Sequence, residues 1–138
     1  MKTKAIHNIK AAEALIDKAE EGYYTASIHH VYYAVFQYMK YELAHTDMEP
    51  LSDEEQTVKA KEDRVGSHDF IIKEIKRRIG RLANLDTAKD FARDVRELKG
   101  DRIDADYRSR QFTLEESLAC KRLAEELITK LKTYFGDL

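Results

Sequence analysis

The sequence predicts an all-α protein, an antiparallel up-and-down helical bundle of about five helices, and three observations carry that reading. Breakers are sparse, with one proline and five glycines in 138 residues, so the chain can stay helical over long runs. Apolar residues recur at helical spacing from end to end, and no alternating run of the kind a strand needs is present. The segments between breakers are amphipathic and long, which suits helices packed side by side around one core.

The first helix is expected over about Thr3 to Glu21, with Ile6, Ile9, Ala12, Ile16 and Ala19 on one stripe and Gly22 as its left-handed end. The second is expected over about Tyr24 to His45 and contains ASIHHVYYAVFQYMKYELA. Its core stripe is Ile28, Val31, Val35 and Met39, while Tyr24, Tyr32, Tyr33, Phe36, Tyr38 and Tyr41 occupy further sectors. Residues 46–66, TDMEPLSDEEQTVKAKEDRVG, form an acidic connection longer than usual, read as a solvated linker that is mobile or holds a short helical turn. A third helix begins near Ser67 as N-cap, with Ile71, Ile72, Ile75, Ile79 and Leu82 inward. Asp86 or Thr87 caps a fourth, which turns Ala88, Phe91, Val95 and Leu98 inward. The fifth opens on TLEE, where Thr113 and Glu116 have the spacing of a capping box, followed by Leu114, Leu118, Leu123, Leu127 and Leu131. Nothing marks an internal boundary, so residues 1–138 read as one domain.

The second helix has apolar and aromatic side chains on nearly every side. Tyrosine suits a surface that is covered on association, having an apolar body and a hydroxyl that can reach water or a partner. The expectation is a symmetric homodimer with Tyr24, Tyr32, Tyr33 and Phe36 among its anchors. The alternative is that the other helices and the acidic connection cover the helix entirely.

Charge narrows the function. Lys and Arg number 24 against 26 Asp and Glu, a net charge of −2, so there is no overall pull toward nucleic acid and any such binding needs a local patch. One candidate patch lies in KEIKRRIGR, where Lys73, Arg77 and Arg81 repeat at i,i+4 and could meet RNA phosphates or an acidic partner; a solvated face is the commoner use of such a stripe. The single cysteine, Cys120, excludes an internal disulfide and reads as a small buried residue. No apolar run approaches the length of a membrane span, and a cytoplasmic location is expected. Histidines 29 and 30 are adjacent and diverge around the helix, no HxxxH or HxxH spacing exists, and neither a metal nor a cofactor is called for.

Three stretches resemble one family. GYYTASIHHVYYAVF is similar to the G-x-Y-x-x-A-x-x-x-x-Y-Y-A-x-F helix of HEPN-domain proteins (higher eukaryotes and prokaryotes nucleotide-binding). GSHDFI resembles the T-H-x-G-V-I start of the next helix in their small stand-alone branch, and LKGDRIDADY resembles its L-x-x-x-R-x-x-A-D-Y. The resemblance covers nearly the whole chain and implies an antiparallel helical bundle, usually a homodimer. It also implies a possible partner, a minimal nucleotidyltransferase of the kind paired with HEPN proteins in prokaryotic toxin–antitoxin systems.

Active HEPN ribonucleases carry an Arg followed four to six residues later by a His. Arg102 matches that arginine, but the fifth residue after it is Tyr107, and no histidine follows His68. Metal-free RNA cleavage needs a group that exchanges protons near neutral pH, and a tyrosine near its ordinary pKa of about 10 is a poor base. The resemblance therefore favours a non-catalytic module for RNA, nucleotide or protein binding. A ribonuclease toxin with an altered active site and a purely structural dimer stand as alternatives.

The stripe of the fourth helix extends to Arg102, with Asp106 one turn on. Two uses are open: a bidentate Arg–Asp clamp at a dimer contact, or a groove presenting Arg102, Tyr107 and Arg108 to phosphate. His68 can approach that groove from elsewhere in the chain, and His30 stands where family members often have Arg, either polar in the groove or simply satisfied and half-buried.

Overall fold

In the computed structural model residues 1–136 are described, apart from the Glu21 side chain. Six helices follow one another: α1 Lys2–Asp17, α2 Glu21–His45, α3 Asp53–Glu62, α4 Ser67–Leu82, α5 Leu85–Tyr107 and α6 Leu114–Phe135. There is no strand among the described residues.

The central helix is α2, and α1, α4, α5 and α6 all pack on it. That enclosure buries Ile28, Val31, Tyr32, Ala34, Val35, Phe36, Tyr38, Met39 and Leu43. The chain thus wraps most of this helix itself, as in the alternative to an interface formed by its aromatic side chains. Tyr32 and Phe36 belong to the interior of the chain, while Tyr24 and Tyr33 stay half-exposed.

Several boundaries differ from the sequence reading for identifiable reasons. Helix α1 ends at Asp17, where Ala19 takes the left-handed conformation (φ 54°) and its N–H bonds to the Ile16 carbonyl. Gly22 lies in the first turn of α2 instead of closing α1. The acidic connection contains the ten-residue helix α3, which Ser52 and Glu55 open with a reciprocal capping box. Its buried Gln56 donates from Nε2 to the carbonyls of Lys40 and Leu51, at 3.1 and 2.8 Å, and so pins α3 to the end of α2.

Caps also shift. Gly66, not Ser67, is the N-cap of α4, and Asn84, not Asp86 or Thr87, caps α5 by accepting from the Thr87 N–H at 2.8 Å. The capping box of α6 is the expected one, Thr113 with Glu116. Below it the buried stripe is Ser117, Cys120, Ala124, Leu127 and Leu131, so Leu114 and Leu118 face outward. Ile6 of α1 is likewise exposed, its place taken by Ala5.

Candidate functional site

Helix α5 turns Ala88, Phe91, Ala92, Val95, Leu98 and Arg102 inward, as its spacing predicts. Five of these six fill the core. Arg102 comes last, where α5 passes α2, and its side chain is only 10 % exposed.

Its guanidinium lies over two tyrosine faces of α2, 5.3 Å from the Tyr32 ring centre and 5.4 Å from that of Tyr33. Each such contact is worth about 0.5–2 kcal/mol, depending on desolvation. The expected bidentate clamp with Asp106 does not form. A single approach of 3.7 Å joins one terminal nitrogen to Asp106 Oδ2, too long for a hydrogen bond. Arg102 Nε is buried without a hydrogen-bond partner, and among the described residues the guanidinium donates no hydrogen bond at all.

The closer partner of Asp106 is His29, whose Nδ1 lies 2.8 Å from Oδ2. An ionised carboxylate can only accept, so Nδ1 carries the proton and a neutral His29 keeps its lone pair on Nε2. The His29 side chain is 43 % exposed, so that lone pair can meet solvent or a ligand. His30, one residue on, donates from Nδ1 to Asn8 Oδ1 at 2.8 Å, while Asn8 Nδ2 donates to the Lys4 carbonyl. Burial first, then the neighbouring His29, holds the His30 pKa below its ordinary value. It is a satisfied, half-buried histidine.

His68 does reach the site. It sits in the first turn of α4 and stacks on Phe36 with ring centres 4.0 Å apart and an interplanar angle of 8°. Its Nδ1 is 2.7 Å from the Tyr32 hydroxyl. Burial, then the charges of Arg102 and Lys99, lowers its pKa to about 4, so it is neutral at pH 7. Burial also raises the Tyr32 pKa, and that hydroxyl keeps its proton. Tyr32 therefore donates to Nδ1 of His68, which leaves the imidazole N–H on Nε2. Lys99, bound to Asp69 at 3.2 Å, completes the cationic side of the site.

The remaining candidates lie apart from this cluster. Tyr107 ends α5 and is 75 % exposed, and Arg108 follows it as an exposed C-cap. Of the basic stripe on α4, Arg77 and Arg81 both reach the carboxylate of Glu49, at 3.6 and 3.3 Å, and Arg77 also pairs with Glu74. Two of its three cations thus hold the α2–α3 connection, where Glu49 is left-handed (φ 51°), and Lys73 is exposed. Cys120 is buried beside Asp101, and its thiol pKa is raised to about 12, chiefly by burial, so it is unreactive.

Sequence reasoning missed His29, Asn8 and Lys99 as members of the site. His29 and Tyr33 are separated by one helical turn, a visible signal for stacked rings, but the Asp106 contact joins residues 77 apart and has no sequence signature. No group of three or more His, Cys, Asp or Glu side chains among the described residues is placed to hold a metal ion. No helix among them is long and apolar enough to cross a membrane.

Neither the comparison with curated proteins nor that with solved structures gave a match. The family model of the HEPN domain matches residues 1–134, nearly the full chain, in agreement with an all-helical bundle. The chain belongs to the HEPN domain family, which places it among nucleotide- and RNA-related helical modules.

Proposed function

We propose that this chain is a non-catalytic, homodimeric HEPN module, one domain over its 138 residues, that binds RNA or a nucleotide by a phosphate at Arg102. One observation carries the reading: a nearly buried guanidinium whose donors are unused among the described residues, with the Asp106 carboxylate 3.7 Å away. A purely structural arginine would spend its donors inside the chain, whereas here Nε is buried unpaired, at a cost of about 1–3 kcal/mol, and the terminal nitrogens are left to solvent. A phosphate at the two terminal nitrogens takes their hydrogen bonds and matches their planar fork.

The resemblance adds the setting, a toxin–antitoxin pair with a minimal nucleotidyltransferase as partner. Dimerisation draws support from the end of the bundle where α2 begins and α5 runs into α6. There Tyr23, Tyr107, Leu114 and Leu118 are exposed and Tyr24 is half-buried, apolar surface of the kind that a second copy would cover. Sedimentation equilibrium at micromolar concentration is expected to give about twice the 16.1 kDa chain mass.

The decisive measurement is fluorescence anisotropy of a labelled RNA strand with the wild type and Arg102→Ala. Loss of one or two charge-assisted bonds should weaken binding roughly 10- to 100-fold, with the circular dichroism spectrum unchanged. Equal binding by both proteins would remove Arg102 from the function.

A second reading, a ribonuclease with an altered active site, is favoured by the His29–Asp106 pair. It sets an imidazole lone pair beside Arg102, although Tyr107 stands at the motif's histidine position. Metal-free cleavage of the same RNA, lost in His29→Ala and retained in Tyr107→Phe, would select this reading over the non-catalytic one.

A further inference from the structure

We propose that His29, Tyr33 and His68 form a stacking platform for unpaired bases, so that the ligand held at Arg102 is single-stranded RNA, not a duplex or a free phosphate. This rests on the assignment of Arg102 to a phosphate and specifies what that phosphate belongs to.

The rings are continuous and half-exposed. His29 lies against Tyr33 with centres 4.6 Å apart, and Tyr33 meets His68 edge-on at 5.7 Å. They are held rigidly from beneath. Tyr32, Phe36 and His68 are mutually parallel within 17°, and Tyr33 stands at 77°, 88° and 84° to them. Such packing leaves Tyr33 little rotational freedom to lose on binding, which favours a planar ligand.

The cations lie along the same strip. Arg102 covers the Tyr33 ring at 5.4 Å, and Lys99 reaches Asp69, the residue after His68. The N–H on Nε2 of His68 adds a neutral donor. Rings for bases beside cations for the backbone are what single strands need, because every base presents a π-face once it is unpaired. A duplex hides those faces and a free phosphate has none.

The test uses the full chain and three labelled probes: a short oligoadenylate strand, the same strand annealed to its complement, and an abasic strand with the same number of phosphates. The oligoadenylate is expected to bind at least roughly tenfold tighter than either other probe, the equivalent of one stacked base. Tyr33→Leu should erase that preference, bringing oligoadenylate binding down to the level of the abasic strand. Should Tyr33→Leu fail to fold, 2-aminopurine placed in the strand tests stacking on the wild type, through quenching of its fluorescence. Equal affinity for the oligoadenylate and the abasic strand, or no quenching, overturns the platform while the Arg102 reading stands. Binding of none of the probes overturns both. If Tyr33→Leu halves the sedimentation mass while the base preference persists, the rings belong to a contact with a second copy, and the platform is likewise overturned.

Discussion

Among the described residues two arginines are almost buried, and their donors are disposed in opposite ways. Arg78 of α4 spends its whole guanidinium inside the chain: Nε donates to Glu74 Oε1 at 2.9 Å, and its terminal nitrogens donate to the carbonyls of Met48 and Glu49 at 2.8 and 2.7 Å. Arg102 of α5 rests on two aromatic faces and donates to nothing in the described chain. The side chains are 5 % and 10 % exposed, so burial does not tell them apart. What separates a structural cation from a receptive one is whether its donors are already taken.

That contrast can be broken by mutation. Arg78→Ala leaves Glu74 with Arg77 alone and takes the charged donor from the Met48 and Glu49 carbonyls, releasing the strained Glu49 turn. Losing these three charge-assisted hydrogen bonds costs about 2–4 kcal/mol, read as a lowered urea midpoint with an unchanged slope. Arg102→Ala should cost about 1 kcal/mol or less in the same titration. Asp106 keeps its closer partner His29, and loss of the ring contacts is offset by removal of an unsatisfied Nε. Equal destabilisation by the two changes would mean that Arg102 is structural too.

A smaller effect sharpens the contrast through pH. His68 has a folded pKa of about 4, below the value of about 6.5 expected when unfolded. On acidification the unfolded chain takes up the proton first, so stability is fully present above pH 6.5 and falls as the pH drops toward 4. The half-exposed ring discounts the effect to roughly 1 kcal/mol. His30, with its pKa also lowered, adds a loss of the same sign. Thermal melts across this window should show the drop in the wild type and a shallower one in His68→Gln. Identical profiles would mean that His68 is not held neutral by Arg102, Lys99 and burial.

Much of the fold was legible in the sequence because periodicity reports burial directly. The stripe from Ala88 to Leu98 extended to Arg102 without any knowledge of neighbouring helices, and Thr113 with Glu116 announced its own capping box. Helix α3 was obscured by its composition. DEEQTVKAKE has almost no apolar face, and it is held by Gln56 bonding to backbone on α2, a contact that no periodicity encodes. The first hinge was misplaced because glycine is the usual left-handed residue, whereas Ala19 accepts that conformation at a cost of about 1–2 kcal/mol.

By itself the sequence determined the helical class, the family motifs, and the inward position of Arg102 with Asp106 one turn away. Those properties depend on residue type and on spacing along one chain segment. Only the tertiary structure decided what Arg102 faces. It brings His29 from α2 to Asp106, seats His68 of α4 on Phe36, and places the guanidinium over Tyr32 and Tyr33. Such contacts depend on how three helices are rotated against one another, and that rotation is set by packing of the whole core.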